Sequence, residues 1–423
     1  MPTLAGKRKP SFLFLQGLAS PFMSILGNKL NDAGANVHRV NFCGGDWWFG
    51  RGSNNTIGQT NFRGKHAALA DTYKQLIKEH AVTTVVLFGD CRPIHKIAAT
   101  VAAAEGVDIL VFEEGYTRPG WITCELGGTN DKSSLPRTKE TITKRAAQIN
   151  PSNVTNPLLP NPMPPRVKMD MQFHAANISS FWYFRHYQTH RPEKVSAELR
   201  GWISRFWRKR KFSTENEALI KLYETTKERF FLVPLQLTSD FQIREHSDYD
   251  GVPDFIGEVI ASFAKNAKPQ DRLLIKSHPL DNGMIDYRSL IGTSTAIHGI
   301  DDRVAYIEGG DLEVLLNATK GVILINSTVG FATLKKGKPM KVMGRALYDS
   351  AGLTHQGSLD SFWKKPTNPE DKIVQDFLKV VRHDTQIYGD FFTNVGMELA
   401  ADAATARLMA NPTQPKTSLA ESK

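Results

Sequence analysis

The sequence predicts an α/β fold made of two Rossmann-like domains facing one cleft. Three observations carry the prediction. Short apolar runs alternate with helical stretches, a pattern that sets parallel strands against crossover helices. The pattern occurs twice. A stretch rich in Pro and Asn, from Asn150 through Pro160, Pro162, Pro164 and Pro165, separates the two occurrences and reads as an exposed connection.

The first series opens with the strand Phe12-Leu13-Phe14-Leu15. A helix near Pro21 to Ala33, a strand from Val37 to Phe42, a helix near Lys65 to His80 and a strand from Thr84 to Phe88 follow. Pro93 suits the first turn of the next helix, where its missing N–H costs no bond, and Ile109 to Phe112 is the last strand of the series. The second series runs through Phe230-Phe231-Leu232-Val233, Leu273-Leu274-Ile275, Val304 to Ile307, Val322-Ile323-Leu324-Ile325 and Met340 to Met343. Between the series, Phe181-Trp182-Tyr183-Phe184, Trp202 and the run Arg205-Phe206-Trp207-Arg208-Lys209-Arg210-Lys211 interleave aromatic and basic residues at spacings that suit opposite faces of helices. The expected boundaries are an N-terminal Rossmann-like domain over 1–165, a helical basic and aromatic connecting segment over 166–228, a second Rossmann-like domain over 229–355, and C-terminal helices with a polar tail over 356–423. The tail after Asn411, with two prolines, is expected to fray.

Composition bounds the function. With 53 Lys and Arg against 43 Asp and Glu the formal charge is +10, which points to an anionic partner: nucleic acid, a phosphorylated small molecule or an acidic membrane surface. Hydrophobic residues at 41% and charged residues at 23% exclude a disordered, fibrous or disulfide-stapled chain. The three cysteines, Cys43, Cys91 and Cys124, form no C-x-x-C pair, so neither a zinc site nor a disulfide framework is expected and a reducing, cytoplasmic compartment is. Lys7, Arg8 and Lys9 precede an apolar run that Gln16-Gly17 ends, too short for a signal segment. No stretch approaches the roughly 18 apolar residues of a membrane helix. Nucleic acid is the weakest of the three partners, because the basic residues gather in one segment and no nucleic-acid motif occurs.

In open parallel sheets ligands bind beyond the carboxyl ends of the strands, so the polar residues there are the candidates. After Phe112 come Glu113-Glu114-Gly115-Tyr116: two adjacent carboxylates that can supply a base or nucleophile, or of which one caps the next element and the other meets solvent. After Ile275 come Lys276-Ser277-His278-Pro279, where Lys276 and His278 fall on one side of an extended strand and can reach one anionic group. After Ile325 come Asn326-Ser327-Thr328-Val329-Gly330, hydroxyls at the start of a helix expected from about Gly330 to Lys336, a phosphate site or a plain N-cap. After Phe88, Asp90 and Arg92 either contact a sugar or pair with each other. Gly44-Gly45-Asp46-Trp47-Trp48 and Gly50-Arg51-Gly52 read as a Gly-rich loop without dinucleotide or Walker spacing, its tryptophans suited to an acceptor sugar or lipid headgroup, or folded down as a plug.

These strand-end runs carry a resemblance. Phe14-Leu15-Gln16-Gly17, Asn41-Phe42-Cys43-Gly44-Gly45-Asp46-Trp47, Gly89-Asp90-Cys91-Arg92-Pro93 and Val111-Phe112-Glu113-Glu114-Gly115-Tyr116-Thr117-Arg118-Pro119-Gly120-Trp121-Ile122-Thr123 resemble the capsule polysaccharide biosynthesis and export family of KpsS/LipB type over most of residues 11 to 345. The Glu-Glu-Gly and Lys-Ser-His-Pro elements, with Ser327-Thr328, are also similar to the motifs of bacterial sialyltransferases, which use CMP-activated donors. Gln236-Leu237 stands where related Kdo transferases tend to have Gln-Pro.

The resemblance implies a GT-B-like glycosyltransferase that moves β-Kdo from CMP-Kdo to a phosphatidylglycerol-type lipid, starting the glycolipid terminus of a bacterial capsule. It implies retention of configuration and hence a carboxylate nucleophile, for which Glu114 is the first choice and Glu113 the second. The donor residues expected are Lys276, His278, Pro279, Ser327, Thr328 and Gln236, with His278 also able to protonate the leaving CMP. Gln16, Asp46, Trp47, Asp90, Arg92 and Arg118 are expected along the acceptor side. No Asp-x-Asp element lies at a strand end and Asp301-Asp302 looks like a turn, so no cofactor and no metal are expected. Trp202, Trp207, Arg208, Lys209, Arg210 and Lys211 are expected to touch an anionic membrane, which places the protein in the cytoplasm, peripheral on the inner membrane, near other capsule synthesis and export proteins. A sialyltransferase-like enzyme and a non-enzymatic export adaptor are the alternatives.

Overall fold

The computed structural model describes residues 9–150, 156–189, 195–225, 230–237, 243 and 246–410, and the chain divides into two compact units. The polar tail after Asn411 and the basic residues Lys7 and Arg8 lie outside the described residues.

The first unit is built on a seven-stranded sheet of order β3-β2-β1-β4-β5-β6-β12. Its strands are β1 (Ser11–Phe14), β2 (Asn36–Asn41), β3 (Gly58–Asn61), β4 (Thr84–Phe88), β5 (Asp108–Glu114), β6 (Trp121–Leu126) and β12 (Gln386–Tyr388). β1 to β5 run parallel, and β6 pairs antiparallel with both β5 and β12. Successive strand residues point to opposite faces, and both faces are covered. Phe12, Phe14, Leu110 and Phe112 pack with α1 (Phe22–Asp32) and a last helix, α15 (Asn394–Ala410). Leu13, Leu15, Val85, Leu87 and Val111 pack with α3 (Leu69–Glu79) and α4 (Pro93–Glu105). That is why these runs carry no polar alternation. Pro93 opens α4 and Gly106 closes it at φ +67°, a left-handed conformation that favours glycine.

The Gly-rich segment is a helix, α2 (Gly44–Gly50), and not the loop expected. Its glycines allow a close approach: a Cβ on Gly44 would lie 2.2 Å from the Ala176 carbonyl oxygen, and one on Gly45 2.2 Å from the Phe173 ring, both on α6 (Met163–Ser179). Trp47 and Trp48 stay exposed with the Arg51 guanidinium 5.6 Å and 4.8 Å from their ring centres, so they are not a buried plug.

The second unit holds a five-stranded parallel sheet of order β11-β10-β7-β8-β9. Its strands are β7 (Phe230–Pro234), β8 (Arg272–Lys276), β9 (Val304–Ile307), β10 (Gly321–Leu324) and β11 (Met340–Val342). The helices of this unit are α5 (Lys139–Ala147), α7 (Val195–Lys211), α8 (Ser213–Thr225), α9 (Val252–Asn266), α10 (Tyr287–His298), α11 (Leu312–Ala318), α12 (Val329–Lys335), α13 (Leu359–Lys364) and most of α14 (Asp371–Thr385). Phe231, Val233, Ile260, Phe263, Ile275, Phe362 and Trp363 are fully buried in one cluster. Asp311 caps α11 through the Glu313 and Val314 amides at 2.8 Å and 3.3 Å, and Asp301-Asp302 lies in a turn as expected.

The boundaries expected at 165, 228 and 355 are not where the chain divides. The first unit comprises Met1–Ser134, Ser152–Gln188 and Arg382–Lys423, and the second Leu135–Pro151 and Thr189–Val381. The C-terminal return rests on a small-residue face. Ala400, Ala401 and Ala404 of α15, with Met397 and Leu408, are buried against the first unit's sheet, and β12 extends that sheet beyond β6. A C-terminal stretch without a long apolar run hides this return from a reading by runs.

One stacked pair of rings predicts a pH effect. His38 stacks on His80 at 3.9 Å between ring centres and shares a 2.8 Å hydrogen bond between its Nε2 and Thr60 Oγ1. Burial, then the nearby His80, pulls the His38 pKa down to about 4. Between an unfolded pKa near ~6.5 and that value, the unfolded chain takes a proton that the native one refuses, so stability falls as pH falls. Urea midpoints from pH 7 to pH 4.5 should drop more steeply for the native chain than for His38→Gln.

Candidate active site

Each sheet has one point where the chain reverses its direction of winding, and polar residues gather there. In the first unit β1 lies between β2 and β4, so the crevice falls beyond the carboxyl ends of β1 and β4. Gln16, just past β1, is buried and donates from Nε2 to Asp46 Oδ2 at 3.0 Å and to the Tyr187 hydroxyl at 3.2 Å. The Phe42 amide donates to the same Asp46 oxygen at 3.0 Å. Burial pushes the Asp46 carboxyl up, and the Arg39 guanidinium, which donates to the Asp46 carbonyl at 2.9 Å, works against that. Arg92 donates to the Gly17 carbonyl at 2.8 Å. Gln16, Asp46 and Arg92, expected to meet an acceptor, therefore hold the loops after β1, β2 and β4 together. Cys43, Tyr187 and Arg39 complete this network; Tyr187 lies 171 residues from Gln16, so no local pattern points to it.

Asp90 differs. It is buried, its Oδ1 accepts from the Cys91 thiol at 3.2 Å, and Lys132 Nζ lies 3.6 Å from its Oδ2, which accepts no hydrogen bond among the described residues. It does not pair with Arg92. Of the acceptor-side candidates, Asp90 has a carboxylate oxygen, Oδ2, that is held by an ion pair with Lys132 and by no hydrogen bond among the described residues.

Glu113 and Glu114 are the last two residues of β5, so they project to opposite faces of the sheet. Glu114 shares its face with Phe112; its carboxylate, 30% exposed, is clamped by Arg118 Nη1 at 3.0 Å and Arg166 Nη1 at 2.8 Å. Arg166 comes from α6 and stacks on Phe392 at 4.9 Å. Nothing in the local sequence pointed to it, since it lies 52 residues from its partner. Glu113 faces the other way, beside Gly89, whose Cβ would sit 3.5 Å from its Oε1, and near Cys91 and Arg92. Neither carboxylate is a helix cap.

In the second unit β7 lies between β8 and β10, so the crevice falls at Gln236, with the ends of β8 and β10 on either side. Lys276 ends β8 and is buried, and burial lowers its pKa while the Asp311 carboxylate raises it. His278 Nδ1 accepts from the Leu280 amide at 3.1 Å, which leaves the ring proton on Nε2. Ser327 Oγ accepts from the Val329 amide at 3.3 Å, and the Tyr348 hydroxyl donates to the Ser327 carbonyl at 2.6 Å. Ser327 thus does cap α12, and Thr328 makes no side-chain cap bond. Gln236 is not turned to a ligand: its Nε2 donates to Asn326 Oδ1 at 2.9 Å and its Oε1 accepts from the Asn326 amide at 3.2 Å, tying β7 to β10.

Pro279 receives its own brace from α7. Arg205 donates to the Pro279 carbonyl at 3.3 Å and to the Asp281 carbonyl, and forms an ion pair with Glu308 at 3.2 Å. Arg208 donates to the Gly283 carbonyl at 2.7 Å, and Gly283, at φ +71°, lets the helix come close. Arg208, expected on a membrane, is therefore spent on the loop after β8. The aromatics are not in the core: Trp202, Phe206 and Trp207 are exposed, as is Ile203, beside exposed Lys209, Arg210 and Lys211. No helix among the described residues is long and apolar enough to cross a membrane.

Comparison with known proteins gives the family. The family model described as "Capsule polysaccharide biosynthesis protein" matches residues 83–392. The capsule polysaccharide export protein KpsS of Escherichia coli is 36% identical over 394 residues, covering 92% of this chain and 98% of its own. The capsule polysaccharide modification protein LipB of Neisseria meningitidis is 32% identical over 389 residues, covering 91% of this chain and 92% of its own. Among solved structures, the KpsC beta Kdo 2,7 transferase of Thermosulfurimonas dismutans aligns over 96% of this chain and 100% of that one, with 13% identity and a TM-score of 0.45. With the family model and both relatives spanning most of its length, the chain belongs to the capsule polysaccharide biosynthesis family.

Proposed function

We propose that the chain is a glycosyltransferase that moves β-Kdo from CMP-Kdo to a phosphatidylglycerol-type lipid acceptor at the cytoplasmic surface of the inner membrane. The observation that carries the reading is the placement of Lys276, His278, Ser327 and Thr328 at the carboxyl edge of one parallel sheet, beyond β8 and β10 on either side of β7. A cation, a ring N–H and two hydroxyls at such an edge suit a nucleotide phosphate, and they can neutralise the charge that grows as CMP departs. With those donors in place the transfer is proposed to need no metal.

Glu114 is proposed as the nucleophile. Its carboxylate attacks the anomeric carbon as the bond to CMP breaks, the electron pair leaving with the phosphate. The acceptor hydroxyl then displaces the carboxylate and gives its proton to a base, for which Asp90 is the candidate. Arg118 and Arg166 hold the Glu114 carboxylate in place through two ion pairs. Two successive displacements retain configuration.

The test is mass spectrometry of short-chain phosphatidylglycerol incubated with the pure protein and CMP-Kdo. The expected result is a mass gain of one Kdo residue, with β stereochemistry by NMR. A product from CMP-sialic acid and none from CMP-Kdo would overturn the donor assignment.

A further inference from the structure

Helix α6 carries its apolar face outward. A surface helix normally turns apolar residues to the core and polar ones to water. The side of α6 that meets α2 carries Phe173, Ala176 and Asn177, and Asn177 Oδ1 accepts from the Gly45 amide at 2.8 Å. The opposite side carries Val167, Met171 and Ile178, and the turn that continues the helix adds Trp182, at spacings that keep the four on one helical face. They are 53%, 68%, 79% and 84% exposed. Phe181 and Tyr183 beside Trp182, Met163 at the start of the helix and Leu158 before it are exposed as well. A contiguous apolar surface of this kind on a folded unit marks an interaction site.

The rim says what covers it. Lys168 and Arg185 are exposed on the same segment, and Arg63 stacks on the Tyr183 ring at 4.5 Å while donating to its carbonyl at 3.3 Å. Asp170 is the one acidic residue of α6. A second copy of the chain would bring like charges together across the stripe, whereas an anionic surface answers both the cations and the apolar face. A single convex helix with Trp and Tyr at its end suits the boundary between headgroups and acyl chains.

We infer that α6 and the turn after it seat the first unit on an anionic phospholipid surface, with Val167, Met171, Ile178 and Trp182 entering the headgroup layer. This deepens the lipid-acceptor reading and rests on it for its purpose. It is separate from α7, which belongs to the second unit.

The test uses the full chain and vesicles without sugar nucleotide, so that seating is read apart from transfer. Native protein should co-sediment with phosphatidylglycerol-containing vesicles and much less with pure phosphatidylcholine. The triple variant Met171→Gln, Ile178→Gln, Trp182→Gln should bind about tenfold less, with a circular dichroism spectrum and melting point close to native, because the side chains removed are mostly exposed in the free protein. As a second measurement, brominated lipid should quench native fluorescence more than that of Trp182→Phe. Vesicle binding by the triple variant equal to native, no native binding to phosphatidylglycerol, or a native dimer that the triple variant converts to monomer by light scattering would each overturn the inference. If vesicle binding behaves as expected and no Kdo transfer is found with any acceptor, the seating stands and the proposed reaction falls.

Discussion

Glu114→Gln is expected to abolish sugar transfer, by about 10³-fold or more, while CMP affinity changes by no more than a few-fold. The amide keeps the shape of the side chain and removes the nucleophile, and losing covalent catalysis of that size costs about 4 kcal/mol of transition-state stabilisation. CMP affinity is spared because the nucleotide contacts proposed here all lie in the second unit. Glu113→Gln is the control: its carboxylate projects from the other face of β5, so a milder loss is expected. Full activity in Glu114→Gln together with inactivity in Glu113→Gln, measured by release of CMP, would exchange the two roles. Arg166→Lys should lower turnover and leave CMP affinity intact, since a single ammonium replaces one arm of a planar clamp.

The second large effect is expected at the donor edge. His278→Ala should weaken CMP binding and slow transfer together, each by about 10- to 100-fold, since a charge-assisted contact is worth about 1.5–3 kcal/mol and is made both before and during departure of CMP. Calorimetry on the variant that finds native affinity would remove His278 from the donor site. Lys276 adds a pH signature. Burial lowers its pKa, and only the protonated amine attracts a phosphate, so CMP affinity should fall as pH rises through a value below that of an exposed lysine. Lys276→Arg should keep its affinity at the alkaline end, because a guanidinium stays charged there. Parallel alkaline declines in both proteins would show that another group titrates.

Much of the fold was legible because β1, β4, β7, β8 and β10 are built on short apolar runs. Phe230 to Val233 and Leu273 to Ile275 are strands for the reason that they read as strands. The places where the reading failed share a physical cause. α2 reads as a loop because glycine disfavours helix, yet Gly44 and Gly45 are required by contact with α6, more than a hundred residues away in the chain. The positions of Lys276, His278, Ser327 and the two glutamates at strand ends were legible; what their neighbours do was not. Gln236 and Asp46 look like ligands in the sequence because they are polar and follow strands, and the structure ties both to partners 90 and 30 residues distant. Arg208 sits in a basic run and is nonetheless turned inward, because the carbonyls of the loop after β8 need a donor.

The return of β12 and α15 to the first sheet also governs the order in which the protein can be made. The ribosome finishes β1 to β6 early, but the sheet edge at β6 and the apolar surface that α15 will cover stay open until the residues after Arg382 emerge. At ~5–20 residues per second the wait is about 10–50 s. The intervening unit can complete its own five strands during that time, since none of them borrows a strand from elsewhere. A premature stop near Val381 would therefore spare the later-made half and leave the earlier-made half unfinished, with an uncovered edge strand of the kind that recruits other chains into aggregates.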